Sequence, residues 1–100
     1  MNFLVICYDV SESDELRKHH LKSHLDYIET ILERIQVAGP IVNNASGKYQ
    51  SSCFVYTADS KEEALELLHA DPYYRAGLYQ NCVIEEFKAV AGNWVGGKRW

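Results

Sequence analysis

The chain has 100 residues, of which 47% are hydrophobic and 24% charged, and its formal net charge is −4 at pH 7. This composition is typical of one small globular domain and excludes a disordered or fibrous chain. The negative charge and the lack of a lysine- or arginine-rich run argue against nucleic acid as a partner. The apolar residues 1–8 are too short to span a bilayer and lack the features of a signal peptide. We therefore expect a cytoplasmic protein with no membrane partner.

The first part of the chain predicts a strand followed by a long helix. Residues 2–8 are apolar without alternation, as in a strand covered on both faces. Ser11 or Ser13 can then cap a helix. An amphipathic stripe at spacings of four and three follows, formed by Leu21, Leu25, Ile28, Leu32 and Ile35. We predict that this helix ends near Gln36 and is stopped by the Gly-Pro pair at residues 39–40.

The middle of the chain predicts a hairpin and a second helix. A short strand at residues 41–42, a turn at residues 43–47 and a strand at residues 49–56 form the hairpin. Ser60 and Glu63 fit the capping-box pattern that begins a helix. We expect this helix to end at the Asp-Pro pair that begins at residue 71.

A fourth strand is predicted at residues 81–88, so the element order is βαββαβ. This is the α+β, ferredoxin-like order, with a four-stranded antiparallel sheet and two helices on one face. Since the strands are apolar on both sides, the uncovered face is predicted to meet a second copy of the chain. We assign residues 1–91 to this domain and residues 92–100 to a Gly/Trp-rich tail, which is expected to fold over its own pocket or onto the partner subunit.

His24 is the candidate that carries the most information about chemistry. It lies ~40° around the helix from Ile28, so its ring faces the sheet. Such a histidine is either a hydrogen-bonded core residue or a general acid or base. His20, one turn earlier, suggests a metal site with His24, but no third ligand is evident, and we predict no metal.

Asp71 follows the second helix and has two interpretations. Its carboxylate either caps a turn before Pro72 or points at His24, where it would fix the imidazole tautomer. Tyr73 and Tyr79 either line a pocket with rings and hydroxyl donors or pack at the sheet edge.

These residues belong to a set of motifs that resembles the YCII-related family over nearly the whole chain. The motifs are the apolar first strand, His24-Leu25, Ala38-Gly39-Pro40, Ala70-Asp71-Pro72-Tyr73 and Ala76-Gly77-Leu78-Tyr79. The resemblance implies a dimeric α+β barrel, similar in architecture to muconolactone isomerases. It also implies a catalytic histidine and aspartate, which map onto His24 and Asp71.

One type of member of this family is a dehydrochlorinase of a chlorinated hydroxyhydroquinone. An arginine that is common in the family is replaced by Leu21, and Arg17, His20 and Lys22 are the candidate substitutes. We predict that Arg17, His20, Tyr73 and Tyr79 bind substrate. No flavin, haem or nucleotide motif is present, so no cofactor is predicted.

Two functions follow from these observations. The first is a cofactor-free isomerase or lyase in which His24 moves a proton and Asp71 orients it. The second is a non-catalytic dimeric module that binds a small molecule or assists a larger enzyme. The fold alone does not choose between them.

Overall fold

The computed structural model describes residues 1–99. The predicted packing of the tail therefore lies outside the described residues where it concerns Trp100. The strands of the main sheet are β1 (Asn2–Asp9), β2 (Ile35–Val42), β3 (Tyr49–Thr57) and β4 (Tyr79–Phe87). The helices are α1 (Asp14–Thr30), α2 (Lys61–His69) and the single turn α3 (Pro72–Arg75). Within residues 1–99, no helix is both long and apolar enough to cross a lipid bilayer.

The sheet is antiparallel with the strand order β2-β3-β1-β4, which confirms the ferredoxin-like α+β fold. β1 is an inner strand, paired with β3 on one side and β4 on the other. Phe3, Val5 and Cys7 point to the helix-covered face and pack in one core with Phe54 and Tyr56 of β3. Burial of each large apolar side chain contributes about 1.5–3 kcal/mol, so this face holds the core of the protein.

The first helix is shorter than the sequence predicted. It ends at Thr30, and a 3-10 turn over Leu32–Arg34 leads into β2 at Ile35. Backbone bonds between residues three apart close this end of the helix, from Ile31 N to Ile28 O and from Arg34 N to Ile31 O. The apolar stripe therefore continued across a helix, a turn and a strand, and its period did not mark the helix end.

The second strand is correspondingly longer than predicted. The Gly-Pro pair at residues 39–40 does not stop the helix but lies inside β2, where Pro40 is opposite Ser52. β2 is at the edge of the sheet, so one side of it needs no donors, and a proline is tolerated there.

The two predicted helix starts have different outcomes. Ser60 caps α2 as expected, because its hydroxyl accepts a hydrogen bond from Glu63 N at 3.2 Å. Ser13 occupies the cap position of α1, but its hydroxyl donates instead to Asp9 Oδ2 at 2.6 Å. This bond brings Asp9 under the start of α1.

The other face of the sheet is not covered by helices. Its exposed apolar side chains are Tyr8, Ile41, Val83 and Phe87. After β4 the chain forms a small hairpin of β5 (Ala91–Gly92) and β6 (Gly97–Lys98), joined through a 3-10 turn at Asn93–Val95.

Trp94 in that turn is 86% exposed, and with Val95 it lines a small cavity beside Val55 and Phe87. The hairpin thus lies at the uncovered face, and neither Trp94 nor Val95 lines the pocket that contains His24. Its docking onto a partner, and the separation of residues 92–100 as a tail, stay predictions.

Candidate active site

A cavity of about 220 Å³ lies between α1 and the strands β2 and β3. Its apolar wall comes from the stripe on α1 and from the facing strands: Leu21, Leu25, Ile28, Ala38, Gly39, Pro40 and Phe54. Its polar wall consists of Arg17, His24, Tyr49, Ser52 and Tyr73. Leu21 and Leu25 remain 48% and 53% exposed, because α1 stands off the edge strand and does not close over it. The stripe therefore shapes a pocket as well as a core.

The structure brings His24 and Asp71 together. His24 Nδ1 lies 2.7 Å from Asp71 Oδ1, and the two side chains are 13% and 0% exposed. The same Oδ1 accepts a hydrogen bond from Tyr73 N at 2.9 Å and so caps α3, which begins at Pro72. Both interpretations of Asp71 from the sequence are therefore correct at once, because a single oxygen serves the cap and the histidine.

Aromatic contacts hold the imidazole in a fixed orientation. The ring of Tyr73 stacks on His24 with centroids 3.9 Å apart and an interplanar angle of 10°. Phe54 approaches from the side, at a centroid distance of 6.4 Å. With Nδ1 directed at a carboxylate, Nε2 is the nitrogen left for a ligand, and it has no hydrogen-bond partner within residues 1–99. An imidazole held in this way can accept a proton at Nε2.

Arg17 enters the same cavity as part of a buried ion pair with Asp9. Its Nε and Nη2 donate to the two carboxylate oxygens of Asp9 at 2.7 and 2.9 Å. Nη2 also donates to the carbonyl oxygen of Ser51 and to Ser52 Oγ, both at 3.1 Å. Burial acts to lower the pKa of Arg17, but the hydrogen bond and charge of Asp9 outweigh it, and the pKa is raised. The guanidinium therefore keeps its positive charge and is paired with the carboxylate of Asp9.

Ser52 is the point where two parts of the site meet. Its hydroxyl oxygen accepts from Arg17 Nη2 and from the hydroxyl of Tyr79, each at 3.1 Å. Since a hydroxyl has two acceptor lone pairs and one donor, the Ser52 hydrogen remains for a further acceptor. Ser52 lines the cavity, so that acceptor can be an oxygen of a ligand.

The two predicted tyrosines use their hydroxyl groups inside the protein. Tyr73 Oη donates to the carbonyl oxygen of Arg17 at 3.2 Å. Burial raises the pKa of both Tyr73 and Tyr79, so both stay protonated near neutral pH. Tyr73 lines the cavity with its ring, whereas Tyr79 lines a separate groove beside α2 and reaches the site through its bond to Ser52.

The remaining predicted residues differ in position. His20 does not line the cavity, and its ring packs edge-on against His19 at a centroid distance of 4.7 Å. Lys22 forms a surface ion pair with Asp26 and is not the substitute for the family arginine at this pocket. Arg17 does lie there. Within residues 1–99, no three His, Cys, Asp or Glu side chains converge as they would around a metal ion.

Sequence reasoning missed Asp9 and Ser52. A signal for Asp9 was present, because it continues the alternation of Phe3, Val5 and Cys7 on the buried face and therefore places a carboxylate where it needs a partner. Ser52 had no such signal, since its importance depends on the pairing of β3 with its neighbours.

The cavity opens into a wider depression of about 410 Å³ at the start of α1. The two spaces share Arg17, Leu21, Tyr49 and Tyr73 as walls. An ion pair from Lys48 to Asp14, at 2.7 Å, spans this outer space between the β2–β3 hairpin and α1. We call the outer space, bounded by Asp14 and Lys48, the vestibule.

Comparison with known proteins agrees with this fold. A model of the YCII-related domain matches residues 1–88, and the chain belongs to that family. An uncharacterised relative, YjpA of Bacillus subtilis (strain 168), is 30% identical over 78 residues, which cover 76% of this chain and 85% of the relative.

A solved structure with high similarity has a known reaction. It is 5-chloro-2-hydroxyhydroquinone dehydrochlorinase (TftG) from Burkholderia phenoliruptrix AC1100, in complex with 2,5-dihydroxybenzoquinone. The TM-score is 0.82 and the identity 29%, with 93% of this chain and 97% of that chain covered. The similarity therefore extends over essentially the whole fold.

Proposed function

We propose that this protein is a cofactor-independent isomerase or lyase, similar to a dehydrochlorinase, that acts on a small phenolic, lactone or other carbonyl-containing ring. The observation that carries the proposal is the bond from His24 Nδ1 to the buried Asp71, together with the position of His24 in the wall of a cavity. The similarity to TftG, whose structure is a complex with 2,5-dihydroxybenzoquinone, supports the class of substrate.

His24 is the group that moves the proton in this proposal. Asp71 accepts the Nδ1 hydrogen, which leaves the Nε2 lone pair for the substrate. Nε2 takes the proton of a ring hydroxyl and returns it to a ring carbon, giving the keto tautomer. An isomerase stops there. In a dehydrochlorinase, chloride then leaves with the electrons of its bond to carbon as a second hydroxyl loses its proton, so the net change is loss of HCl.

Ser52 is the proposed donor to the oxygen on which charge develops. Its hydrogen is not needed for Arg17 or Tyr79, both of which donate to it. A donor fixed in advance by two other bonds needs little reorganisation when the substrate oxygen gains charge. We infer that Ser52 and His24 contact opposite ends of the reacting hydroxyl or carbonyl system.

The second candidate is a non-catalytic module that binds a small ring. The observation that favours it is the double use of Asp71 Oδ1, which caps α3 as well as bonding His24 and thus ties α1 to α3. A purely structural pair would also be buried and well ordered. Measurement of turnover separates the two candidates.

We also propose that the working form is a homodimer joined through the uncovered sheet faces. Four large apolar side chains are exposed along that face, Tyr8, Ile41, Val83 and Phe87, from one end of the sheet to the other. An exposed apolar face on a small protein is typical of an interface, and a twofold contact covers both copies at once.

The test compares His24→Ala and Asp71→Asn with the wild type on 5-chloro-2-hydroxyhydroquinone, with chloride release and product absorbance as readouts. General acid-base groups contribute about 10²- to 10⁴-fold, and we expect losses of this size with retained folding by circular dichroism. His19→Ala is the matched control, because it removes an exposed histidine of the same helix.

Equal rates in His24→Ala and the wild type, with both folded, would contradict the catalytic role. Binding of the quinone product to the wild type without any turnover of ring substrates would favour the second candidate.

A further inference from the structure

We propose that Asp9 is a positioning residue that sets the charge selectivity of the cavity. By holding and neutralising Arg17, it makes the site accept uncharged or phenolic rings and reject rings that carry a carboxylate. This inference rests on the proposed function only in treating the cavity as a ligand site, and it requires no turnover.

The first step concerns the charges of the cavity wall. Among the described residues that line it, Arg17 is the one that carries a permanent positive charge. An arginine in a pocket commonly binds a carboxylate through two parallel N–H groups. In this protein Nε and Nη2, which form one of the edges that can do so, already donate to the two oxygens of Asp9. Nη2 also donates to Ser51 O and Ser52 Oγ, so the other edge, formed by Nη1 and Nη2, has only Nη1 left for a ligand. A carboxylate ligand thus finds no complete pair of parallel N–H groups.

The second step concerns burial. The side chains of Asp9 and Arg17 are 2% and 11% exposed, so water screens them little and each charge cancels the other at short range. Ser13 Oγ donates to Asp9 Oδ2 at 2.6 Å and fixes the carboxylate on its other side. A ligand carboxylate that loses its hydration in the cavity would therefore gain no net positive charge in return.

The third step concerns what surrounds the pair. Most of the remaining wall is aliphatic or aromatic, which suits a planar ring, and the rings of Tyr49 and Tyr73 lie 6.0 and 5.5 Å from the guanidinium carbon. The vestibule is lined by two acidic residues, Asp14 and Glu15, and by two lysines, Lys18 and Lys48, of which Lys48 is paired with Asp14, so these four charges balance. These exposed charges are also screened by salt. The vestibule does not restore an attraction for anions.

The test uses two probes of nearly the same shape, 4-hydroxybenzamide and 4-hydroxybenzoate, titrated calorimetrically into the full chain at neutral pH. The wild type is expected to bind the amide at least about tenfold more tightly. In Asp9→Asn the guanidinium of Arg17 loses its counter-ion and becomes a charged hydrogen-bonding partner for the carboxylate of 4-hydroxybenzoate. The ratio of the two dissociation constants should therefore shift by about tenfold or more towards 4-hydroxybenzoate. The double variant Asp9→Asn/Arg17→Gln removes both charges and should return the preference for the amide.

A wild type that binds 4-hydroxybenzoate as well as the amide, or that binds neither ring, overturns the inference, and this result does not depend on whether Asp9→Asn folds. An unchanged ratio in a folded Asp9→Asn variant also overturns it, since a merely structural aspartate would weaken both probes alike. Failure of the proposed catalysis appears separately, as absent turnover, and leaves the two affinities unaffected.

Discussion

The two faces of the sheet contain similar side chains but meet different surroundings. Phe3 on β1 and Phe87 on β4 belong to neighbouring positions at one end of the sheet, yet Phe3 is 2% exposed and Phe87 is 42% exposed. Phe3 points to the helices and joins the core, whereas Phe87 points to the uncovered face beside the C-terminal hairpin. Alternation along each strand determines to which face of the sheet each side chain points. The helices then determine which of the two faces is buried within a single chain.

The difference also separates stability from assembly. The helix-covered face supplies the core, and the candidate site lies at its margin, where α1 leaves the edge strand uncovered. The uncovered face makes little contribution to the core of the single chain and is available for a second copy. Substitutions on the two faces should therefore have effects of different kinds.

The largest effect is expected for the matched pair Phe3→Ala and Phe87→Ala. Removing a buried phenylalanine costs about 3–5 kcal/mol of unfolding free energy, whereas loss of the half-exposed Phe87 should cost about 1 kcal/mol in the single chain. Denaturant unfolding measures both. Equal losses of unfolding free energy in the two variants at low protein concentration would contradict the difference between the two faces. A loss for Phe87→Ala that increases with protein concentration would indicate that Phe87 contacts a second copy of the chain.

A smaller effect on the single chain, but a clear one on assembly, is expected for Val83→Lys. Val83 lies on the uncovered face, and a charge placed in an apolar twofold contact is desolvated and meets its own copy. We expect a shift from dimer to monomer in sedimentation velocity, with a change in protomer stability within about 1 kcal/mol.

Leu32→Lys is the matched control for this substitution. Leu32 is also exposed, but it lies in the turn after α1 and not on the sheet. Dissociation by both variants would indicate a general effect of added charge, and dissociation by neither would contradict the proposed dimer surface.

The smallest effect is expected for Trp94→Ala. The indole is almost fully exposed in the single chain, so its removal should change protomer stability by no more than about 0.5 kcal/mol. If the hairpin docks on a partner, truncation of the tryptophan should weaken the dimer by about 2 kcal/mol, or roughly 30-fold in dissociation constant. An unchanged dissociation constant would show that the hairpin is not part of the interface.

Local sequence patterns predicted most of the fold. The capping serine of α2, the turn at residues 43–47 and the apolar β1 each depend on neighbouring residues, and each was located correctly. The end of α1 was not, because an apolar period of three and four continued through a turn into β2. Edge-strand pairing with β3, which is a long-range contact, decided where the helix stopped.

For the candidate site, the sequence by itself determined that His24 faces inward and that an acidic residue follows the second helix. Only the tertiary structure decided that one oxygen of Asp71 both caps α3 and bonds His24, and that Asp9 occupies Arg17. The physical reason is the range of the interactions. Helix and strand periods are fixed by residues a few positions apart. The bond between His24 and Asp71 joins residues 47 positions apart, and the bond between Arg17 and Asp9 joins a helix to a strand, so both depend on how α1 packs against the rest of the fold.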